Sequence, residues 1–530
     1  MHRQPESARD RRWLLGIVFA YLTLAVLTAA TSLPVCDEAW FAIPGYNLAQ
    51  GHGFGTSVLE PSSVRDLPPL TGLDRVTYWI PPLHPLAMAA WCRIAGRGLL
   101  AARLLSVLWG LAALTGWSLI VRWRNGPGPA GGTRPLAALF LAALLALDFE
   151  FLRCAAQARM DMMTEALLAW AVASYLLLRG KSLARALLVS QTLVVLAGLT
   201  HPIALGGFVG LTFLILYLDR RRLRPRDVLP ATLPYLAAAL AWGGFVARAP
   251  DLFRDQFLGN FAGHWGGTGN GWRVLWDQID RRFLNVYGLI PGVPGWAHLK
   301  AVVLLAYAGA LFAGWMNRGF RRSPERRPLL IFCSLLPLAY AALDPGGHEF
   351  YLVHLLTPLA AVLAMILDWT LRGAATRRPA LGRAVTMVLV ILGAVQLATT
   401  AARVRRDGYH REFLPAARFV AQQAQPQDLI MGSAELGFAL GWGANLVDDY
   451  RLGARTGRVP AIVVLDANRY VPGLERLRSF DPDAWRHATG LLEDQFEPAY
   501  RNGAYTVYLR RAAAGGQSSS SIRMTPSASR

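Results

Sequence analysis

Long apolar stretches alternate with short polar ones over the first 400 residues of the chain. The stretches lie at 13–34, 98–121, 135–152, 161–178, 186–199, 203–218, 228–247, 299–315, 329–343, 352–370 and 384–400. A helix crossing a bilayer needs about 20 consecutive apolar residues, so each stretch predicts a membrane span. The segment 81–95 is also apolar, but it is short and carries Pro81, Pro82, His84 and Pro85. It predicts a helix lying in the interface or dipping back. The first stretch is long and lacks a small-residue cleavage site, which predicts a retained span rather than a signal peptide.

After residue 400 the pattern changes. Segments 428–432 and 461–466 predict short buried strands, 485–496 a helix, and 503–510 alternates as an edge strand would. Gly437, Gly441 and Gly443 do not follow a strand at the spacing a nucleotide-binding loop needs, and are expected at turns or helix contacts. The fold class predicted is a polytopic α-helical membrane protein of about 11 spans with a small C-terminal α/β domain. The expected division is a cytoplasmic N-terminus at 1–12, a membrane domain at 13–400 with long outer loops 35–97 and 248–298, an extracytoplasmic domain at 401–511, and a disordered polar end at 512–530.

Composition narrows the choice. The 54% hydrophobic content excludes a disordered chain, and four scattered cysteines exclude a secreted disulfide scaffold. The net charge of +20 raises the question of a nucleic-acid partner, which its placement answers. Loops on the N-terminal side of the predicted topology hold 24 Lys or Arg in 67 residues, against 11 in 133 on the other side. Basic residues mark the cytoplasmic face, so the charge reads as a topology signal, with no aromatic stacking pattern for nucleic acid. The expected location is a plasma (inner) membrane, multi-pass, with the N-terminus inside. Only Lys181 and Lys300 are lysines, a usage that fits an arginine-rich bacterial coding sequence.

The informative positions are carboxylates at the outer span ends: Asp37 and Glu38 after the first span, Asp148 and Glu150 ending the third, and Asp161 opening the fourth. Carboxylates at the hydrocarbon edge are costly and serve either a polar cavity or a structural pair, so an Asp37–Arg159 pair pinning two spans stays open as the plain reading. The loop after Asp37 is long and rich in polar and aromatic groups, including His52, Arg75, Tyr78, Trp79 and His84, and long loops usually carry function. Later loops add His264 and the run His348-Glu349-Phe350-Tyr351. Together these groups suit a ligand with a lipid tail between spans and a polar head in water. His201, in Thr200-His201-Pro202, reads as a packing or capping residue.

In order along the chain stand Cys36-Asp37-Glu38-Ala39, Pro81-Pro82-Leu83, Ala102-Arg103-Leu104, Arg159-Met160-Asp161, and Tyr351-Leu352 with Thr357-Pro358. On these motifs the membrane part, and most specifically the first 165 residues, resembles the glycosyltransferase-C superfamily. The branch it resembles is that of protein O-mannosyltransferases and lipid A aminoarabinose transferases, glycosyltransferase family 39-like. The resemblance implies an enzyme that takes a sugar from a polyprenyl-phosphate-linked donor. It would transfer the sugar, with inversion, to a cell-envelope glycan, lipid or protein acceptor at the outer face of the bilayer. It implies Asp37 as the catalytic aspartate, Asp161 as a second acidic position and Glu38 as the partner of Asp37. An acceptor hydroxyl is a poor nucleophile at neutral pH, and a positioned carboxylate can take its proton. A phosphate leaving group calls for cations, for which Arg75, His84, Arg103 and His348 are candidates. Tyr78, Arg159, His264, Glu349 and Tyr351 complete the expected substrate-binding set.

The sequence also departs from that family. Where aminoarabinose transferases commonly place a lysine before Pro-Pro-Leu, this chain has Ile80, and Tyr351 follows His348 and Glu349 rather than a basic pair. Asp37, His264, His348 and Glu349 are of types that bind divalent ions, but their separation gives no ligand spacing, so a metal stays open. The competing function is a polytopic solute transporter or lipid flippase. Transporters tend to place polar groups near the bilayer midplane, whereas here they collect at one face.

Overall fold

The computed structural model describes residues 8–60, 70–123, 136–260, 271–291, 295–344, 347–374, 379–443 and 445–511. The expected disordered end, 512–530, and His264 lie outside them. The membrane part consists of helices α1 (Ala8–Thr31), α2 (Cys36–Gln50), α3 (Leu83–Ala95), α4 (Leu99–Arg122), α5 (Ala137–Leu147), α6 (Phe149–Ala155) and α7 (Asp161–Leu178). They are followed by α8 (Leu183–Gly198), α9 (Ala204–Asp219), α10 (Val228–Val246), α11 (Ala301–Met316), α12 (Arg327–Leu343), α13 (Val353–Ala374) and α14 (Pro379–Arg406). Among the described residues, seven helices are long and apolar enough to cross a membrane. Four shorter apolar helices, α5, α8, α9 and α12, occupy the remaining predicted spans.

Two helices, α7 and α13, are mostly buried within the bundle, while α10 is mostly exposed at its rim. In an apolar solvent, helices associate by close packing rather than by hydrophobic exclusion, so small residues collect where backbones approach. Helix α9 illustrates this. A β-carbon at Gly207 would stand 2.5 Å from Leu168, and one at Gly210 2.6 Å from Phe332.

The predicted third span is not one helix. Helix α5 ends at Leu147, and Asp148 caps α6 by accepting from the backbone N–H groups of Glu150 and Phe151, both at 2.9 Å. An aspartate is among the best N-cap residues, and this cap restarts the helix in a new direction. The other oxygen of Asp148 accepts from the Tyr307 hydroxyl (2.9 Å) and the Gln396 amide (2.7 Å), so the break is tied to two neighbouring helices.

Beyond α14, α15 (Leu414–Gln423), α16 (Tyr470–Phe480) and α17 (Pro482–Gln495) accompany a five-stranded sheet of order β2-β1-β3-β5-β4. The strands are β1 (Ile430–Gly432), β2 (Leu446–Val447), β3 (Ile462–Asp466), β4 (Phe496–Asn502) and β5 (Tyr505–Arg510). Strand β1 runs parallel to both β2 and β3, and β5 runs antiparallel to β3 and β4. The segment expected at the edge, β5, is therefore interior. Its alternating burial reflects one covered and one open sheet face, and β4 supplies the edge. Gly441 adopts φ +84°, a turn conformation, and Gly437 closes against the Trp442 ring.

One sheet face shares a core with the end of the bundle. Ala39, Trp40, Phe41 and Ile43 of α2, with Val58, Leu59, Leu70 and Leu73 of the following loop, pack against Phe413, Val420, Ile462, Val464 and Val507. The loop also pairs with the C-terminal unit: Asp448 N–H donates to the Val58 carbonyl (2.7 Å) and Glu60 N–H to the Asp448 carbonyl (3.2 Å).

Candidate active site

The start of α2 sets two acidic side chains in opposite directions. Glu38 is fully buried and receives Arg103 in a bidentate pair, Nε to Oε1 at 2.8 Å and Nη2 to Oε2 at 2.7 Å. Its remaining acceptor capacity is taken by the backbone N–H groups of Val35 (3.0 Å) and Ala158 (2.8 Å). Arg103 spends its other donors on the carbonyls of Ala29 (2.6 Å), Ser32 (2.9 Å) and Leu33 (3.1 Å). This network ties α1, α2, α4 and the turn before α7 together, and neither Glu38 nor Arg103 is part of the lining of the cavity described next.

Asp37, one residue earlier, faces a cavity of about 690 Å³ between the bundle and the C-terminal unit. Its side chain is 25% exposed and pairs with Arg159, whose Nε also donates to Asp161 Oδ2 at 2.9 Å. Arg159 is clamped between two aromatic faces, its guanidinium carbon 5.0 Å from the Phe41 ring centre and 4.0 Å from that of Phe350. Burial alone would lower the Arg159 pKa, but Asp161 and Asp37 outweigh it and raise it, so the side chain stays charged. The Asp37–Arg159 contact considered from sequence as a structural pin is thus present, with one carboxylate still open to the cavity.

The opposite wall is built by the segment before α13. Asp344 accepts from the backbone N–H of His348 at 2.8 Å, and its Oδ1 lies 2.6 Å from His348 Nδ1. Arg282 forms an ion pair with the same carboxylate and donates from Nε to the His348 carbonyl at 3.2 Å. Burial would raise the Asp344 carboxyl, but the His348 contact and the Arg282 charge hold it below the usual carboxylate range. Tyr351 also lines the cavity, its ring 5.0 Å from that of His201 and 5.9 Å from that of His348. His201 accepts the Ile203 N–H at Nδ1, and burial pushes its pKa down to about 3, so the ring is neutral at ordinary pH.

The cavity therefore gathers Asp37, Arg159, His348 and Tyr351 from the expected set, with Asp161 reached through Arg159. Ile80, the apolar residue where a lysine was the family expectation, lines it too. Other expected residues stand elsewhere. Arg75 is exposed on the loop and is not part of the lining. Tyr78 is buried against Trp242, Phe245 and Phe253, with its hydroxyl donating to the Phe245 carbonyl at 3.1 Å. His84 is buried beside Asp161, and burial lowers its pKa to about 4, which leaves it neutral and unsuited to serve as a cation. Glu349 turns to Arg153, 3.6 Å away. Among the described residues, no three His, Cys, Asp or Glu side chains are grouped to hold a metal ion.

Sequence reasoning missed Asp344 and Arg476, while His201, read as a packing or capping residue, accepts the Ile203 N–H and also lines the cavity. Arg476 lies on α16, in the C-terminal unit, and its arrival at the cavity depends on docking that no local pattern announces. A second, apolar cleft between α8, α9 and α10 shares Pro202 and Leu205 with the cavity, and adds Val194, Leu199, Phe208 and Tyr235.

No family model and no curated protein matches the chain. Solved structures do. The crystal structure of ArnT from Cupriavidus metallidurans bound to undecaprenyl phosphate aligns with a TM-score of 0.58 at 16% identity, covering 97% of this chain and 100% of that one. The apo state of the same protein aligns at 0.57 and 16% identity, over 96% of this chain and 100% of that one. The apo oligosaccharyltransferase of Archaeoglobus fulgidus aligns at 0.50 and 11%, over 87% of this chain and 70% of that one. At such identities the likeness is one of fold, and the fold of this chain is that of the glycosyltransferase-C membrane proteins.

Proposed function

We propose that the chain is an integral-membrane glycosyltransferase that moves a sugar from a polyprenyl-phosphate carrier to an acceptor hydroxyl or phosphate, inverting the anomeric centre, at the outer face of the membrane. The observation that carries this reading is the placement of Asp37, paired with Arg159, on a cavity with charged groups in its wall, next to an apolar cleft between helices with which it shares Pro202 and Leu205. An amphipathic donor fits that shape, with its sugar-phosphate head in the cavity and its prenyl tail along α8, α9 and α10. The similar ArnT crystal structure holds undecaprenyl phosphate, which supports a lipid phosphate as ligand.

In the reaction proposed, the acceptor oxygen attacks the anomeric carbon as its proton passes to the Asp37 carboxylate. The bond from that carbon to the phosphate oxygen breaks, and the carrier leaves as polyprenyl phosphate. Arg159, held by Asp161 and two aromatic rings, pairs with Asp37 and aims its carboxylate. Glu38 and Arg103 position the helix start from behind. The reading includes the topology inferred from charge, with the N-terminus inside and residues 401–511 forming the extracytoplasmic domain.

The test is to incubate the purified protein with a panel of polyprenyl-phosphate sugars and score release of polyprenyl phosphate. Release with one or more sugars is expected. Movement of intact lipid between leaflets, without release from any of them, would favour a flippase.

A further inference from the structure

The cavity needs a cation for a phosphate head group, and its own inventory is short. Arg159 is committed to Asp37 and Asp161, His348 is drawn to Asp344, His201 is neutral, and Ile80 carries no charge. One further cation lines it. Arg476 reaches in from α16, is exposed, and has no acidic partner among the described residues.

Its helix is fixed to the opposite wall. Asp448 accepts the Trp40 indole N–H at 3.0 Å and the Tyr470 hydroxyl at 3.1 Å, and pairs with Arg469, whose guanidinium lies 4.3 Å over the Trp40 ring. Trp40 is one turn beyond Asp37 on α2, and Tyr470 begins the helix that carries Arg476. One buried carboxylate thus holds both the carboxylate-bearing wall and the arginine-bearing wall. Tyr470, Gly473, Leu474 and Leu477 are buried on α16, which leaves Arg476 on the face turned from its core.

We propose that Arg476 is the phosphate-binding residue of the cavity, supplied by the C-terminal unit to hold the phosphate of the lipid carrier. The inference rests on the glycosyltransferase reading and adds a role for the C-terminal unit. A guanidinium can meet a phosphate with two parallel hydrogen bonds, which an ammonium cannot reproduce.

The test measures binding of undecaprenyl phosphate, undecaprenol and inorganic phosphate to the full chain in detergent, for the natural protein, Arg476→Ala and Arg476→Lys. The natural protein is expected to prefer the phosphorylated lipid to the alcohol by roughly 10- to 100-fold, the span expected for charge-assisted hydrogen bonds. Arg476→Ala should lose about ten-fold or more of its affinity for undecaprenyl phosphate while holding undecaprenol as before, and Arg476→Lys should recover part of the loss. The melting temperatures of the three proteins should agree, because the side chain is exposed. A variant that keeps the full preference for the phosphorylated lipid overturns the assignment of Arg476. Inorganic phosphate that binds as tightly as the phosphorylated lipid overturns the lipid source. A natural protein that fails to distinguish undecaprenyl phosphate from undecaprenol overturns the glycosyltransferase reading itself.

Discussion

Asp37 and Glu38 are neighbours in sequence, and each meets an arginine, yet the two pairs differ in kind. Glu38 and Arg103 are sealed in the bundle with every hydrogen-bonding position occupied by each other or by backbone. Asp37 and Arg159 meet at the wall of a cavity, where the aspartate keeps part of its surface. A saturated buried pair has nothing left to offer a substrate and fixes geometry. An incompletely satisfied one can exchange a proton. The contrast separates an architectural role from a chemical one within a single helical turn.

The sharpest way to break the comparison is to neutralise each acid in turn. Asp37→Asn should reduce transfer by about 10²- to 10⁴-fold, the usual share of a general base, with folding preserved. Glu38→Ala should instead destabilise the protein by about 3–5 kcal/mol, because it strands the Arg103 charge in the bundle. Thermal unfolding in detergent reads that difference, and a Glu38→Ala protein as stable as the natural one would contradict the architectural role.

The spans were legible because apolar length is a one-dimensional signal. The break at Asp148 was not, since a capping aspartate inside an apolar stretch looks the same whether it ends a helix or restarts one. Asp37 and Asp161 stood out as charges at span ends. Arg476 is one arginine among many until the sheet docks on α2, and the contact that docks it joins Trp40 to Asp448 across 408 positions of sequence. Arg75, by contrast, looked suitable from composition alone and lies away from the cavity.

The far wall carries its own pH dependence. Because the Asp344 carboxyl is held below its ordinary range in the fold, its stabilising contribution is complete above the unfolded value of about 3.9 and is lost as pH falls through the lower folded value. The difference in melting temperature between the natural protein and Asp344→Asn should therefore be constant above about pH 4 and shrink below it. A difference independent of pH across that window would argue against the Arg282–Asp344–His348 linkage.

The smallest effect is expected at Gln256, whose side chain accepts the Tyr78 N–H at 2.6 Å and donates to the carbonyls of Thr71 and Val76 at 2.7 and 3.0 Å. Gln256→Ala should cost about 1–3 kcal/mol by thermal unfolding and leave transfer within a few-fold, since the Gln256 side chain is not itself part of the cavity lining.

The most direct test of the central claim uses one variant and two readings. Asp37→Asn is purified alongside the natural protein, and each is assayed for undecaprenyl phosphate binding and for sugar transfer from a donor that the natural protein accepts. Unchanged lipid binding with transfer lost is the expected result. Full transfer by a well-folded Asp37→Asn protein would contradict it.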